Sequence, residues 1–418
     1  MIKNYIKIAF KVLLRRKFFT FISLFGISFT LVVLMVVAAL FDHVFGSFPP
    51  ETRLDRILTI YWAAASKDGE VHQVDIPGYA MLDRYGRGLP DVEKFAIHSI
   101  PSSAISYKDG VQISSYLKTT DGDFWDVFTF NFLEGGPYTL DDVKRGNPVA
   151  VINEATRSKF FGAAAAVGKT IVMDEQRFQV VGVVENVPIF RVTPFADIWV
   201  PTTTSKTDSY RKEMLGLQMG TLLAGNRASF PAIKAEYRSR LARVKLEERG
   251  RENDTITGCP ETLFETCSRL LAGSMQKSVL NPHTGRLWAV MFTLMILFML
   301  LPTINLVNIN ISRIRERASE IGVRKAFGAT SRTLVGQFVT ENVLLTLLGG
   351  LIGFVLSHVV LQFLTGSGLL KYARFQMSYR IFFAGLLIAV FFGLVSGVYP
   401  AWRMSRLHPV EALRGRSL

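Results

Sequence analysis

The sequence has few of the residue types that most metal or catalytic centres require. Only two of its 418 residues are cysteines and six are histidines. His72, His98 and His283 are scattered through the longest polar region, with no acid or thiol at ligand spacing, so packed or solvated histidines are favoured over a metal site. Cys259 and Cys267 lie in a region that we place outside the cell, where a disulfide and two free thiols are both compatible with the sequence. No metal site is predicted.

A nucleotide-binding loop is also missing. Gly168-Lys169-Thr170 is similar to the end of a phosphate-binding loop, but the preceding glycine, Gly162, is one residue too distant for that motif. A turn that enters a strand explains these residues better. Since ATPase motifs are absent, we predict that the chain is not itself an enzyme, that it holds no cofactor, and that any ATP hydrolysis belongs to a partner polypeptide.

Acidic residues are scarce overall, 34 against 48 Lys and Arg, for a formal net charge of +14. Residues 42–285 nevertheless hold 28 basic and 30 acidic side chains, so no nucleic-acid patch is predicted there. The excess lies in residues 1–17, 312–333 and 402–418, which together carry 16 basic and 3 acidic residues. Basic clusters beside apolar runs follow the positive-inside rule and place all three stretches, with both termini, in the cytoplasm.

Long apolar runs are abundant. The run that follows residue 17 is about 24 residues long, enough to cross a bilayer, and no small-residue cleavage site ends it. We predict an α-helical membrane protein with four transmembrane helices and a large α/β extracytoplasmic domain of two subdomains between the first and second. The predicted segments are a surface helix at 1–17, transmembrane helices at 18–41, 286–311, 333–363 and 381–401, the extracytoplasmic domain at 42–285, a cytoplasmic link at 312–332, a short outer loop at 364–380 and a cytoplasmic tail at 402–418.

Strand and helix patterns alternate within residues 42–285. Gly110 marks the turn of a predicted hairpin between 104–107 and 111–114. Asp121 or Asp123 is expected to cap a short helix, and Asn153 a second helix. The remaining predictions are an end of that second helix at Gly162, strands at 148–152, 169–173, 178–184 and 197–201, and a helix at 231–248.

Several residues stand out within the predicted transmembrane helices. Pro302 bends the second one, and Asn305 below it can bond to a neighbouring helix. Glu341 lies near the inner end of the third, where an acid marks a functional position. We favour a hydrogen bond to Gln337, Asn342 or a partner helix over proton transfer. Three glycines give the third helix a face for close packing: Gly349, Gly350 and Gly353.

The cytoplasmic link contains two like-charged pairs at i,i+4 spacing, Arg313 with Arg317 and Glu316 with Glu320. Such pairs do not stabilise an isolated helix, so a partner surface or lipid head groups explain them better. The next ten residues fit about two helical turns ended by glycine, after which Thr330 or Ser331 can cap the next helix. They are Glu320, Ile321, Gly322, Val323, Arg324, Lys325, Ala326, Phe327, Gly328 and Ala329.

At these ten residues the chain resembles the FtsX/MacB-type permeases of ABC transporters. In that family the pattern E-[IL]-G-[IVL]-[RM]-[RK]-[AS]-[LIVF]-G-A lies in the cytoplasmic loop between the second and third transmembrane helices, where a short helix docks on the ATP-binding subunit. Every position of the pattern is met from Glu320 to Ala329. The resemblance extends to residues 337–354, 399–403 and 408–414 and covers nearly the whole chain.

The resemblance implies a permease dimer, of two copies or of this chain with a paralogue, and two ATP-binding subunits that hold ATP and Mg²⁺. It implies a multi-pass protein of the cytoplasmic (inner) membrane, in contact with lipid, and leaves open a periplasmic adaptor or an outer-membrane channel as a further partner. The predicted function is mechanotransmission: ATP-driven closure moves the coupling helices and then the outside domain, for efflux or release of an antibiotic, peptide or similar substrate. The alternatives are a signalling protein that controls a cell-wall hydrolase or sensor, and a lipoprotein-extracting permease.

Overall fold

The computed structural model describes residues 2–15, 17–67, 70–108, 110–244, 254–271, 284–294 and 330–405, and residues 296, 297, 300, 304, 323 and 327. The chain forms two compact units. The helical unit comprises Met1–Asp42, Val290–Leu369 and Arg374–Leu418, and the soluble unit comprises His43–Ala289 and Leu370–Ala373.

The helices are numbered along the chain. They are α1 (Ile2–Arg15), α2 (Lys17–Phe45), α3 (Tyr79–Met81), α4 (Phe124–Val127), α5 (Leu140–Arg145), α6 (Glu154–Phe161), α7 (Phe230–Leu241), α8 (Leu263–Leu271), α9 (Ser331–Gly366) and α10 (Tyr379–Ser405). Residues 284–294 are also helical. Single 3₁₀ or π turns lie at Leu54–Arg56, Leu82–Gly86, Thr202–Thr204, Ser209–Lys212 and Arg227–Ser229.

The strands are β1 (Ile57–Ile60), β2 (Ala63–Lys67), β3 (Glu70–Pro77), β4 (Val92–Ser99), β5 (Ser102–Lys108), β6 (Val111–Thr120), β7 (Phe132–Gly135), β8 (Val149–Asn153), β9 (Thr170–Met173), β10 (Gln176–Val184), β11 (Ile198–Pro201), β12 (Leu215–Gly216), β13 (Gln218–Ala224) and β14 (Thr255–Gly258).

Two helices of the helical unit are long and apolar enough to cross a membrane. These stretches are Lys17–Phe45 in α2 and Val335–Gly366 in α9, and α10 contains a shorter apolar stretch, Tyr379–Phe391. Half of the predicted second transmembrane helix, 286–311, lies outside the described residues. The count of four transmembrane helices therefore stays a prediction.

The N-terminal segment forms a helix, as its pattern predicts. Ala9 and Leu13 are buried, and α1 packs against α9. Ile6, Phe10 and Leu14 remain exposed, which suits a helix lying at a membrane surface. Its position on the membrane stays a prediction.

The soluble unit is built on a ten-stranded mixed sheet. Its order is β1-β13-β4-β6-β11-β8-β10-β7, with β5 added on β6 and β9 on β10. The pairs β6–β11 and β8–β10 are parallel. A second sheet, β12-β3-β2-β14, shares a hydrophobic core with α7. The prediction of two subdomains within the soluble unit is not confirmed.

Three local predictions are confirmed. Strands β5 and β6 pair as an antiparallel hairpin, and Gly110 at its turn has φ of 79°. The Asn153 side chain caps α6 by accepting the N–H of Thr156 at 2.8 Å. Gly162 ends that helix with φ of 63°, a backbone conformation that favours glycine.

Two local predictions are wrong. Asp123 occupies the cap position of α4, but neither it nor Asp121 makes the capping hydrogen bond. Asp121 instead accepts the Ile97 N–H at 2.9 Å and binds Arg87 at 2.8 Å. Burial raises the pKa of Asp121 to about 6. The carboxylate is therefore used inside the sheet and not at the helix end.

Helix α7 was expected over 231–248 but ends at Leu241. Its buried apolar positions, Ile233, Tyr237 and Leu241, stop there. The next two residues form a turn, so burial sets the end of this helix more than the helix-forming residues that follow it.

Candidate functional site

We call the ten residues 320–329 the coupling motif. The structure describes two of them. Val323 and Phe327 form one helical turn, in which the Phe327 N–H donates to the Val323 carbonyl at 3.1 Å. Both side chains are exposed, Phe327 to 88%. The other motif residues lie outside the described part of the chain, as do Pro302 and Asn305: Glu320, Ile321, Gly322, Arg324, Lys325, Ala326, Gly328 and Ala329.

Thr330 begins the helix that follows this turn. Its hydroxyl accepts the Thr333 N–H at 3.3 Å and caps α9. Of the two predicted caps, Thr330 and Ser331, the structure uses the first. Helix α9 therefore starts four residues after Phe327 and continues for 36 residues.

Glu341 is buried on α9. The amide of Gln337 donates to its Oε1 at 3.2 Å, and Asn342 beside it is also buried. A hydrogen bond to Gln337 was one of the contacts expected for this acid. Its functional role stays a prediction.

The three glycines of α9 lie where helices approach closely. A Cβ atom on Gly349 would lie 2.8 Å from Cγ2 of Ile27 in α2, and one on Gly350 would lie 2.5 Å from Cδ1 of Leu386 in α10. A Cβ atom on Gly353 would lie 3.1 Å from Cβ of Leu31 in α2, a tight but less severe approach. Since atoms do not pack at these distances, a larger residue at Gly349 would force α2 and α9 apart, and one at Gly350 would displace the end of the Leu386 side chain.

The two cysteines are free thiols, so the possible disulfide between Cys259 and Cys267 is not formed in this structure. Cys259 is buried just after β14, whereas Cys267 is partly exposed on α8. Burial raises the pKa of both thiols. Both are therefore protonated near neutral pH.

His98 is a packed histidine. Its Nε2 lies 2.9 Å from Oγ1 of Thr221, and its ring lies 5.3 Å from that of Phe124. Burial, aided by the charge of Lys118, lowers its pKa well below the usual value. The structure does not describe His283 or the side chain of His72. Among the residues that it does describe, no three side chains that could bind a metal ion come together.

A polar site that the sequence patterns do not predict surrounds residues 187–197, which join β10 to β11. We call this segment the junction loop. Arg191 donates from Nη1 to Oε2 of Glu51 and from Nη2 to the carbonyl of Gly46, both at 2.8 Å. The Arg191 and Glu51 side chains are only 2% and 4% exposed. Because Gly46 directly follows α2, this buried ion pair fixes the first turn of the soluble unit to the junction loop.

Lys118 of β6 also binds the junction loop. Its ammonium donates to the carbonyls of Val192, at 3.3 Å, and Thr193. The Thr193 hydroxyl lies 2.8 Å from that of Tyr61. Burial lowers the pKa of Lys118 to about 7, although attraction to Glu51 opposes the shift. Two buried basic side chains, Arg191 and Lys118, thus bind one loop.

Asp197 ends the junction loop and collects four donors. Its Oδ1 accepts from Asn153 Nδ2 at 2.9 Å and from the Tyr372 hydroxyl at 2.8 Å. Its Oδ2 accepts from the Tyr116 N–H at 2.9 Å and from Lys371 Nζ at 2.7 Å. Burial alone would raise the pKa of this carboxyl, but the hydrogen bonds, led by that of Lys371, outweigh it and lower the pKa.

Lys371 and Tyr372 come from the short connection between α9 and α10. The Ile189 N–H of the junction loop donates to the Lys371 carbonyl at 3.1 Å. The Lys371 ammonium lies 4.6 Å from the ring centroid of Tyr116, within the range of a cation–π contact. The junction loop therefore joins two stretches that are far apart in sequence, the exit of α2 and residues 370–373. The sequence feature that marks this contact is a Lys-Tyr pair in the connection between α9 and α10.

A second set of contacts links α8 to the same end of α2. The ring of Phe264 in α8 lies 5.6 Å from that of Phe45 and 4.9 Å from that of Trp288. Lys234 of α7 binds Glu265 of α8 at 2.6 Å. Helix α8 is thus packed against the exit of α2 and against the helix at 284–294.

A surface groove of about 810 Å³ lies beside β8, β9 and β10. Its polar lining includes Asp142, which already accepts from Thr139 at the start of α5 and from Asn147. Its apolar lining includes Val149 and Val172. The acid in this groove thus serves to order α5.

Comparison with known proteins identifies the family. The family model "MacB-like periplasmic core domain" matches residues 20–240, and "FtsX-like permease C-terminal" matches residues 292–409. A macrolide export ATP-binding/permease protein MacB of Burkholderia cenocepacia (strain HI2424) is 28% identical over 311 residues, 72% of this chain. The chain spans only about two-fifths, 42%, of that relative.

Two further comparisons cover more of the other protein. The uncharacterized ABC transporter permease YvrN of Bacillus subtilis (strain 168) is 26% identical over 314 residues, which are 70% of this chain and 68% of the relative. The crystal structure of the periplasmic region of MacB from Actinobacillus actinomycetemcomitans matches at 15% identity with a TM-score of 0.36, over 53% of this chain and 94% of that one. Since the first family model alone covers more than half of the sequence, the chain belongs to the MacB/FtsX family of ABC transporter permeases.

Proposed function

We propose that this permease transmits motion from a cytosolic ATP-binding subunit to its soluble unit. The observation that carries the proposal is the turn at Val323 and Phe327. One exposed aromatic residue is common on protein surfaces and needs no explanation by itself. Here the exposed aromatic lies at i,i+4 spacing from a second apolar residue, within ten residues that match the family's docking pattern. The pair provides an apolar ridge that can enter a groove of the partner.

In this proposal the ATP-binding subunits hold ATP and Mg²⁺, and their closure supplies the movement. Two such subunits would face two permeases, either two copies of this chain or this chain and a paralogue. The chain would lie in the inner membrane with its soluble unit on the periplasmic side. Its own residues bind the partner and carry the displacement.

The work proposed for the soluble unit is efflux or release of an antibiotic, peptide or similar substrate from the outer side of the membrane. The names of the MacB relatives, which describe macrolide export, support this substrate class. The buried Arg191–Glu51 pair supports the mechanical part, because a body that transmits displacement must resist deformation where the chain enters it.

Replacing Phe327 with Asp tests the proposal. A charge in an apolar groove costs several kcal/mol, so we expect the variant to lose at least about 100-fold in affinity for the ATP-binding subunit and to lose ATP-driven transport. Phe327→Leu keeps an apolar side chain and is the matched control, which should retain most of both. Membrane insertion should be the same in both variants.

The readouts are the amount of ATP-binding subunit that co-purifies from detergent and the ATPase rate in reconstituted vesicles. If Phe327→Asp binds the subunit and supports transport like the control, the docking role of this turn is wrong.

A further inference from the structure

We infer that Lys371 and Tyr372 form a latch that closes on Asp197 in one state of the transport cycle and leaves it in another. The inference rests on the proposed function, because it names the residues through which motion reaches the soluble unit. It concerns the four residues between α9 and α10 that belong to the soluble unit, Leu370–Ala373.

The two ion pairs on the junction loop differ in how easily they can open. Arg191 and Glu51 are both almost completely buried, so separating them would leave two unsolvated charges. The Lys371 side chain is 31% exposed, against 1% for Asp197. Its ammonium lies over the rings of Tyr116, Phe195 and Tyr372, but its partial exposure gives it direct access to water.

Asp197 would keep two hydrogen-bond donors if Lys371 and Tyr372 moved away. Each carboxylate oxygen has a second donor within the body of the soluble unit: Oδ1 keeps the Asn153 amide and Oδ2 keeps the Tyr116 N–H. Opening the latch therefore does not strand a buried carboxylate without hydrogen bonds.

The latch segment is held in an uncommon backbone conformation. Tyr372 has φ of 60°, in the left-handed region that bulky side chains rarely adopt. The bond from its hydroxyl to Asp197 and the bond from Ile189 to the Lys371 carbonyl hold it there. Tyr372 also packs against buried apolar residues of the soluble unit. Breaking the two hydrogen bonds would let the strained backbone relax.

The position of the latch in the chain connects it to the helical turn at Val323 and Phe327, which we call the coupling turn. Helix α9 begins at Ser331, just after that turn, and ends at Gly366, four residues before Leu370. A helix of 36 residues is about 54 Å long and transmits axial or rotational displacement along its length. Movement at Phe327 would therefore reach the latch through one continuous element.

Hydrogen exchange of the full chain, bound to its ATP-binding subunit, tests the latch. Exchange of peptides covering 187–197 is measured without nucleotide and with a non-hydrolysable ATP analogue, for the wild type and for Lys371→Met. Tyr372→Phe is a second, milder variant that removes only one hydroxyl. Lys169→Met is the matched control, because Lys169 also lies over an aromatic ring, that of Phe161, but outside the junction loop.

In the wild type we expect exchange of the junction loop to change with nucleotide. In Lys371→Met the loop should exchange about 10- to 100-fold faster in the state in which the wild-type latch is closed, as expected for loss of a charged hydrogen bond, and the nucleotide response should disappear. Tyr372→Phe should show a smaller change in the same direction, and Lys169→Met should behave like the wild type.

A nucleotide response that is absent in the wild type, or equal in the wild type and Lys371→Met, overturns the latch. If Lys371→Met does not fold, the same criteria apply to Tyr372→Phe. Failure to recover any ATP-binding subunit with the wild-type chain would overturn the proposed function instead, so the two failures are distinguishable.

Discussion

At the residue scale, the junction loop is held by two cations of different chemistry. Arg191 is a guanidinium that binds a carboxylate partner, Glu51. Lys118 is bound by carbonyls, and burial brings its pKa to about 7. The strength of the Lys118 contact should therefore depend on pH near neutrality.

Arg191→Met should destabilise the protein strongly. It leaves Glu51 buried without its ion-pair partner, a change that typically costs about 3–5 kcal/mol. The matched control is Arg211→Met, because Arg211 also pairs with an acid, Asp208, but the two side chains are 51% and 83% exposed. The control should change the free energy of unfolding by less than about 1 kcal/mol. Equal effects in the two variants, measured by thermal unfolding in detergent, would contradict this account of the junction loop.

Lys118 should make stability depend on pH. Its folded-state pKa of about 7 lies below the ordinary lysine value of 10.5. Between these values the unfolded chain binds the proton more tightly, so the contribution of Lys118 to the free energy of unfolding rises with pH. We expect the melting temperature of the wild type, relative to that of Lys118→Met, to increase from pH 7 to pH 9. A difference that stays constant over this range would show that Lys118 does not titrate there.

At the element scale, α9 combines a capped start near the coupling turn, a glycine face in its middle and the latch connection at its end. Each feature has a separate physical basis. Thr330 satisfies a free N–H at the first turn, whereas Gly349 and Gly350 allow close approach of α2 and α10. The size of the side chains along α9 therefore sets how closely α2 and α10 can approach it.

Gly349→Ala should lower the thermal stability of the helical unit. Its new Cβ atom would lie within 3 Å of Ile27 atoms, and overpacking of this kind typically costs about 1–3 kcal/mol, partly offset by the better helix propensity of alanine. Gly366→Ala is the control on the same helix, since nothing lies within 4 Å of its added atom. We expect a lower melting temperature for the first variant only, in detergent or in bilayers. A similar loss in both variants would mean that helix propensity, and not close packing, governs these positions.

Elements whose signals are local were predictable from the sequence. The Gly110 turn, the Asn153 cap and the Thr330 cap depend on a few neighbouring residues, and all three occur. Asp121 failed as a cap because its partners, Ile97 and Arg87, are more than 20 residues away. For the same reason the sequence does not reveal the contacts of the junction loop. No periodicity or motif relates Glu51 to Arg191, or Asp197 to Lys371, before the sheet brings them together.

At the scale of the whole molecule, the motifs around the coupling turn identified the family, and the family models then confirmed it. The motifs do not identify the substrate, because binding of a substrate depends on the surface of the soluble unit. A protein that stays bound to this unit would also distinguish export from the alternatives: a cell-wall hydrolase or sensor would indicate signalling, and an acylated protein would indicate lipoprotein extraction.

The most direct test of the central claim is affinity purification of the tagged chain from its native membrane in mild detergent, followed by identification of what remains bound. The account predicts an ATP-binding subunit in a one-to-one ratio with the permease, retained by the wild type and by Phe327→Leu but lost from Phe327→Asp. Recovery of the chain without any ATP-binding protein, under conditions where the permease itself remains folded, would contradict the claim that this chain transmits the work of ATP hydrolysis.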